Sequence, residues 1–171
     1  MGMCELNLAE DISDTVRENS ENIRVSGKNL LNIINDLLDF SKIESGKMEL
    51  VCQKYRLSSM LNEIINMAVA RKGNKPIEFL VNADPSVPDL LYGDEIRIKQ
   101  VVMNLLTNAI KFTEHGGVIL SVSSREESYG INLIISVKDS GIGIEESAID
   151  TIFSDFQQAD KKRNHFIEGT G

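Results

Sequence analysis

At 171 residues the chain can bury one globular core and carry a helical appendage besides. Its 42% hydrophobic and 26% charged content excludes a disordered or fibrous chain. A formal charge of −8 argues against a nucleic-acid surface, which needs a basic patch. No apolar run approaches the ~20 residues of a membrane span, so no direct membrane contact is expected. Cys4 and Cys52 are too few for a disulfide scaffold and lack metal-ligand spacing. Both read as small, partly buried hydrophobes of a reducing compartment, and a soluble, cytoplasmic module is the expectation. Its opening, Met1-Gly-Met-Cys-Glu5, lacks the basic start and apolar core of a secretory signal.

Residues 1–10 read as a short helical tail and 11–14 as a turn. Ser13 or Asp14 can then cap a long helix running to about Glu44. Within it Val16, Ile23, Leu30 and Leu37 recur every seven residues, with Ile34 on the same seam, the spacing of a coiled coil or bundle. Leu31, Ile33, Leu38 and Phe40 widen the apolar surface, and Gly27 weakens the helix by about 1 kcal/mol relative to Ala. The same pattern also suits one long helix packed on its own domain. After Ser45-Gly46 the period changes. Residues 47–57 are β-tolerant, and Ser58 can cap a helix to about Lys72. Gly73-Asn-Lys-Pro76 is a break, Ile77, Phe79, Val81 and Ala83 alternate as a strand, and 84–88 form a loop.

Asp94 opens the next helix, whose two faces differ. At about 100° per residue, Ile98, Val101, Val102, Leu105, Leu106, Ala109 and Ile110 fill an apolar arc roughly 180° wide. Gln100, Asn104, Asn108 and Lys111 fall in an opposite arc of about 80°. Asn is a poor helix former, so two of them at i, i+4 above a lysine ask for a reason. An amide oxygen is a hard ligand suited to Mg²⁺, and a lysine one turn on reaches a phosphate. A merely solvated polar face is the alternative. Val118, Leu120 and Val122 predict a strand, 126–130 a hairpin turn. Ile131, Leu133, Ile135 and Val137 predict the partner strand, with Ile134 implying some cover on the other face. Asp139-Ser-Gly-Ile-Gly-Ile144 then offers one carboxylate and two glycines. Glycine lets backbone approach a ligand closely and Asp accepts hydrogen bonds from an amino group, although such residues also make ordinary turns. Strands interspersed with long helices predict a two-layer α/β sandwich.

These two motifs, in this order, resemble the N box and first glycine box of sensor histidine kinases, whose ATP-binding domain has the Bergerat fold. Residues 152–160, with Phe153 and Phe156, resemble the F box, and Glu168-Gly-Thr-Gly171 is similar to the start of the second glycine box. Upstream, residues 35–50 resemble the segment where the dimerisation helix meets that domain. The resemblance therefore covers nearly the whole chain. It implies a remnant of the dimerisation hairpin over 1–46 and the ATP-binding domain over 47–171. The wording Asn108-Ala-Ile-Lys-Phe-Thr113 and Ile167-Glu-Gly-Thr-Gly171 is most similar to bacterial hybrid kinases.

Carried over residue by residue, the resemblance makes Asn108 the Mg²⁺ ligand, with Asn104 one turn earlier beside the phosphates. Lys111 becomes a phosphate contact and Phe112 an aromatic beside the nucleotide. Asp139 accepts from the adenine amino group, and Gly141 and Gly143 permit the tight loop beneath the base. Gly169, Thr170 and Gly171 supply backbone N–H groups to phosphate, and 160–168, with Lys161, Lys162 and Arg163, form the lid. None of these residues has a bond-making role. The implied cofactors are ATP and Mg²⁺. The implied partners are a second copy through the N-terminal helix and a response regulator or receiver domain.

Two departures stand out. The phosphate-accepting histidine motif, of the type His-Glu-x-x-Thr-Pro, is absent, and the only histidines are His115 and His165, neither of which matches it. The sequence also stops at Gly171, inside the second glycine box. The expected function is the Mg·ATP-binding module of a histidine kinase, itself unable to autophosphorylate. A Bergerat-fold ATPase and a non-catalytic dimerisation module with a vestigial site are the alternatives. Such ATPases use a Glu where this chain has Asn104, which counts against hydrolysis.

Overall fold

The structure, a computed structural model, describes residues 13–146 together with Gly2 and Ile149. It divides into two compact units with the break between Glu49 and Leu50.

In the first unit, helix α1 (Asp14–Glu44) starts after Ser13, whose backbone is extended (φ −62°, ψ 152°) but whose side chain makes no cap bond. The helix stops at a glycine. Gly46 takes φ +65°, so its amide donates to Ile43 O (3.0 Å) and that of Lys47 to Lys42 O (2.9 Å). These two bonds satisfy carbonyls that a helix end otherwise leaves unpaired. The heptad residues Val16, Ile23, Leu30, Ile34 and Leu37 are all exposed, Ile23 to 61% and Leu30 to 59%.

The second unit contains β1 (Gln53–Arg56), α2 (Leu57–Lys72), β2 (Ile77–Ala83), β3 (Leu90–Gly93), α3 (Glu95–Phe112), β4 (Gly116–Glu127) and β5 (Gly130–Asp139). Strands β1 and β3 form a small antiparallel ribbon. The main sheet has the order β2-β4-β5, with β2 parallel and β5 antiparallel to β4. A two-residue turn joins β4 to β5, as Glu127 pairs with Gly130, the tightest common hairpin connection. Helices α2 and α3 pack together, and α3 lies on β4 and β5. The core is contributed by Met60 and Ile64 from α2, Leu106 from α3, and Val118 and Leu120 from β4, each fully buried. Each contributes about 1.5–3 kcal/mol as a buried large apolar side chain. Helices on one face of the sheet agree with the predicted two-layer α/β sandwich.

Several local expectations are corrected. Of the β-tolerant residues 47–57 only Gln53–Arg56 form a strand, and β3 was not foreseen, being only four residues long. Ser58 does not cap α2. Its amide is one of the helix's unpaired first-turn donors, and Asp89 accepts it from 31 residues away (2.9 Å), while Asp89 O accepts from Leu57 (2.7 Å). Cys52 is exposed rather than partly buried. On α3, Val101 and Leu105 are 60% and 47% exposed, because a helix lying on one sheet buries only the stripe Val102, Leu106, Ala109 and Ile110. Ile134 is 43% exposed.

Candidate nucleotide site

Helix α3 carries the amide residues, and both its ends are held by charge. At its start Asp94 accepts from Arg97 N (3.1 Å) through one carboxylate oxygen and from Val51 N (2.9 Å) through the other. Those two backbone donors, Val51 first, hold the Asp94 carboxyl below its ordinary value. At its end the ammonium of Lys75 donates to Ile110 O (2.7 Å), Lys111 O (3.0 Å) and Thr113 O (3.2 Å). An anion at the N-terminus and a cation at the C-terminus both match the helix dipole.

Between these ends, Asn104 and Asn108 are exposed one turn apart, and Lys111 and Phe112 are half-buried. The Lys111 ammonium lies 5.0 Å from the centroid of the Phe112 ring, a cation–π distance. Val101 and Leu105, from the neighbouring edge of the apolar arc, are exposed beside the two asparagines.

The loop after β5 closes onto this helix end. Asp139 pairs across the sheet with Val118, which pairs in turn with Phe79. Cross-strand partners share a face, so Asp139 emerges on the side that the helices cover. One of its carboxylate oxygens accepts from Gly141 N (2.9 Å). Ile142 N donates to Phe112 O (3.3 Å), and a Cβ on Gly141 would stand 2.5 Å from that same oxygen. Only glycine allows this approach. Gly143 adopts φ +70°, the left-handed region where glycine carries no penalty.

Ser140 fastens the loop from its other side. Its amide donates to Gly117 O (3.1 Å), and its hydroxyl accepts from Gly117 N (2.9 Å) while donating to His115 O (3.2 Å). A Cβ at Gly116 would meet that hydroxyl at 2.2 Å. Sequence reasoning missed Lys75, Ser140 and Gly116. Paired glycines at 116 and 117 and a lysine beside Pro76 were the available signals, and only the folded turn gives them partners.

The structure thus brings Gly141 and Ile142, in the loop that Asp139 opens, against Phe112 O and sets Asn104, Asn108 and Lys111 on the helix that ends there. Phe153, Phe156, the lid over 160–168, and Gly169, Thr170 and Gly171 lie outside the described residues. The donor set suits Mg²⁺-nucleotide: amide oxygens for a hard cation, an ammonium for phosphate, and a carboxylate for an exocyclic amine.

Comparison with known proteins agrees with this chemistry. Residues 93–171 match the family described as histidine kinase-, DNA gyrase B-, and HSP90-like ATPase. Residues 1–46 match the His Kinase A (phospho-acceptor) domain. The chain is 39% identical over 174 residues to the hybrid signal transduction protein dokA of Dictyostelium discoideum, covering 100% of this chain and 10% of that protein. It is 37% identical over 172 residues to the signal transduction histidine-protein kinase BarA of Escherichia coli (strain K12), covering 100% of this chain and 19% of that one. The crystal structure of full-length ShkA in complex with AMPPNP is similar with a TM-score of 0.75 at 31% identity, over 93% of this chain and 34% of that one. The chain therefore spans a fifth or less of the length of these curated relatives.

Proposed function

This chain belongs to the sensor histidine kinases, matching the ATPase family over residues 93–171 and the phospho-acceptor domain over residues 1–46, and from that premise we propose how its residues serve the nucleotide. Asn108 ligates Mg²⁺ and Asn104 lies beside the phosphates one turn away. Lys111 leaves the Phe112 ring to contact phosphate, and Phe112 flanks the nucleotide. Asp139 accepts from the adenine amino group with the oxygen that Gly141 does not use. Gly141 and Gly143 keep the loop low beneath the base, and Gly169, Thr170 and Gly171 offer backbone N–H groups to phosphate. Bound Mg²⁺ supplies charge neutralisation on the phosphates.

In the whole protein the γ-phosphoryl passes to a histidine outside this sequence and then to an aspartate of a receiver domain or response regulator. The chain's own contribution to such a transfer is positioning and electrostatics. We assign 1–46 to the dimerisation hairpin and 47–171 to the ATP-binding domain, acting in the cytoplasm as a homodimer through α1. The observation that carries the nucleotide reading is the contact of the Asp139 loop with the end of the Asn-bearing helix, which Gly141 alone permits. Asn104, standing where hydrolytic relatives of the fold use Glu, favours transfer over ATP hydrolysis.

Calorimetric titration of the chain with AMPPNP, with and without Mg²⁺, tests the reading. Saturable binding that weakens without Mg²⁺ is expected. Heats no larger than dilution at millimolar ligand would overturn it.

A further inference from the structure

The four carbonyls that end α3 are shared between two elements. Those of Ile110, Lys111 and Thr113 accept from the single ammonium of Lys75, and that of Phe112 accepts from Ile142 in the Asp139 loop. A helix end normally gives such carbonyls to water or to a glycine turn. Here a half-buried lysine from the turn before β2 takes three of them, and its neighbour Ile77 is seated in the parallel pair with Gly116. Lys111 therefore cannot fray without breaking charge-assisted bonds, which are stronger than neutral ones, and Phe112 cannot without releasing the Ile142 amide.

We propose that Lys75 is a positioning residue for the nucleotide site. By fixing the last turn of α3 against the sheet, it sets the spacing between Lys111, at the phosphate end, and Asp139, at the base end. It touches neither part of the ligand. This role rests on the nucleotide reading given above and adds a residue to it.

The consequence is selective. A ligand that bridges both ends feels the spacing, whereas adenosine, which lacks phosphates, engages the base end alone. Lys75→Met removes all three bonds, while Lys75→Arg keeps a cation with several donors. Affinities for AMPPNP with Mg²⁺ and for adenosine are measured by NMR titration, alongside a melting curve for each variant. Lys75→Met is expected to lose roughly tenfold for AMPPNP with adenosine affinity unchanged, and Lys75→Arg to recover most of that loss. Equal losses for the two ligands, or wild-type AMPPNP affinity in Lys75→Met, would overturn the proposal. If Lys75→Met does not fold, Lys75→Gln, which keeps two donors but no charge, is measured in its place, and equal losses for the two ligands or a wild-type AMPPNP affinity overturn the proposal. A wild-type chain that binds neither ligand would overturn the nucleotide reading and this role together.

Discussion

Asp139 orders its own loop through one carboxylate oxygen, which accepts from Gly141 N; in the function proposed above, the other recognises the base. Asp139→Asn replaces an acceptor-only group with an amide that also donates. One charge-assisted hydrogen bond is worth roughly 1.5–3 kcal/mol, so AMPPNP affinity should fall about ten- to a hundredfold and preference for adenine over guanine should narrow. Asn108→Ala should leave base preference intact and abolish the Mg²⁺ dependence. Unchanged isotherms in both variants would place the site elsewhere. Asp139, Gly141 and the two asparagines were legible in the sequence because a carboxylate, glycines and poor helix formers are costly where they stand. Lys75 and Ser140 were not, since an ordinary lysine and serine gain meaning only from backbone that folding brings to them. Cys52 shows the opposite failure, a residue type usually buried that here lies on the surface.

Helix α3 was readable as an element, down to its Asp94 start, but its buried stripe was overestimated. A hydrophobic arc says which side is apolar, not how much of it a single sheet can cover. Val101 and Leu105 belong to the arc and stay exposed. Helix α2 hid its cap for a related reason, because Asp89 reaches it from the far side of β2. The Asp94 cap has a pH signature. With its folded carboxyl held below the ordinary 3.8, its contribution is complete above that value and is lost as pH falls through the lowered one. Acid titration followed by circular dichroism should show Asp94→Asn less stable than wild type at neutral pH, the two converging once pH has fallen through the lowered value. A constant gap across that range would mean the carboxylate's charge is irrelevant. On α1 the sequence leaves open whether the heptad seam packs on its own domain or between copies. Leu30→Asp should shift the chain toward monomer in sedimentation velocity. A wild-type monomer at high concentration would remove the seam from consideration for this sequence.

At the scale of the whole molecule, the fold class was accessible because alternating strands, long helices and a hairpin admit few arrangements. The parallel pairing of β2 with β4 was not, since no local signal reports which distant strand a strand will join. The segment matching the phospho-acceptor domain, residues 1–46, contains no histidine. Incubated with Mg·ATP, this chain should therefore acquire no acid-labile phosphate. In-line transfer needs an acceptor nitrogen near the phosphorus, and His115 sits in the turn leading into β4, its carbonyl engaged by Ser140. Label on His115 or His165 in a phosphopeptide map would contradict this.

The parallel strand pair also bears on how the domain assembles. Strands β4 and β5 meet through a two-residue turn, while Ile77 finds Gly116 only after β3 and α3 have been placed between them. Contacts distant in sequence carry the larger loop-closure cost, so the hairpin belongs early on the folding route and β2 late. Lys75 precedes β2 by two residues, so its grip on α3 arrives with that last strand. The site proposed for the nucleotide is then among the final features to form. AMPPNP should accordingly slow unfolding in stopped-flow denaturation while leaving the refolding rate almost untouched. A ligand that accelerated refolding would put the site in the folding nucleus instead.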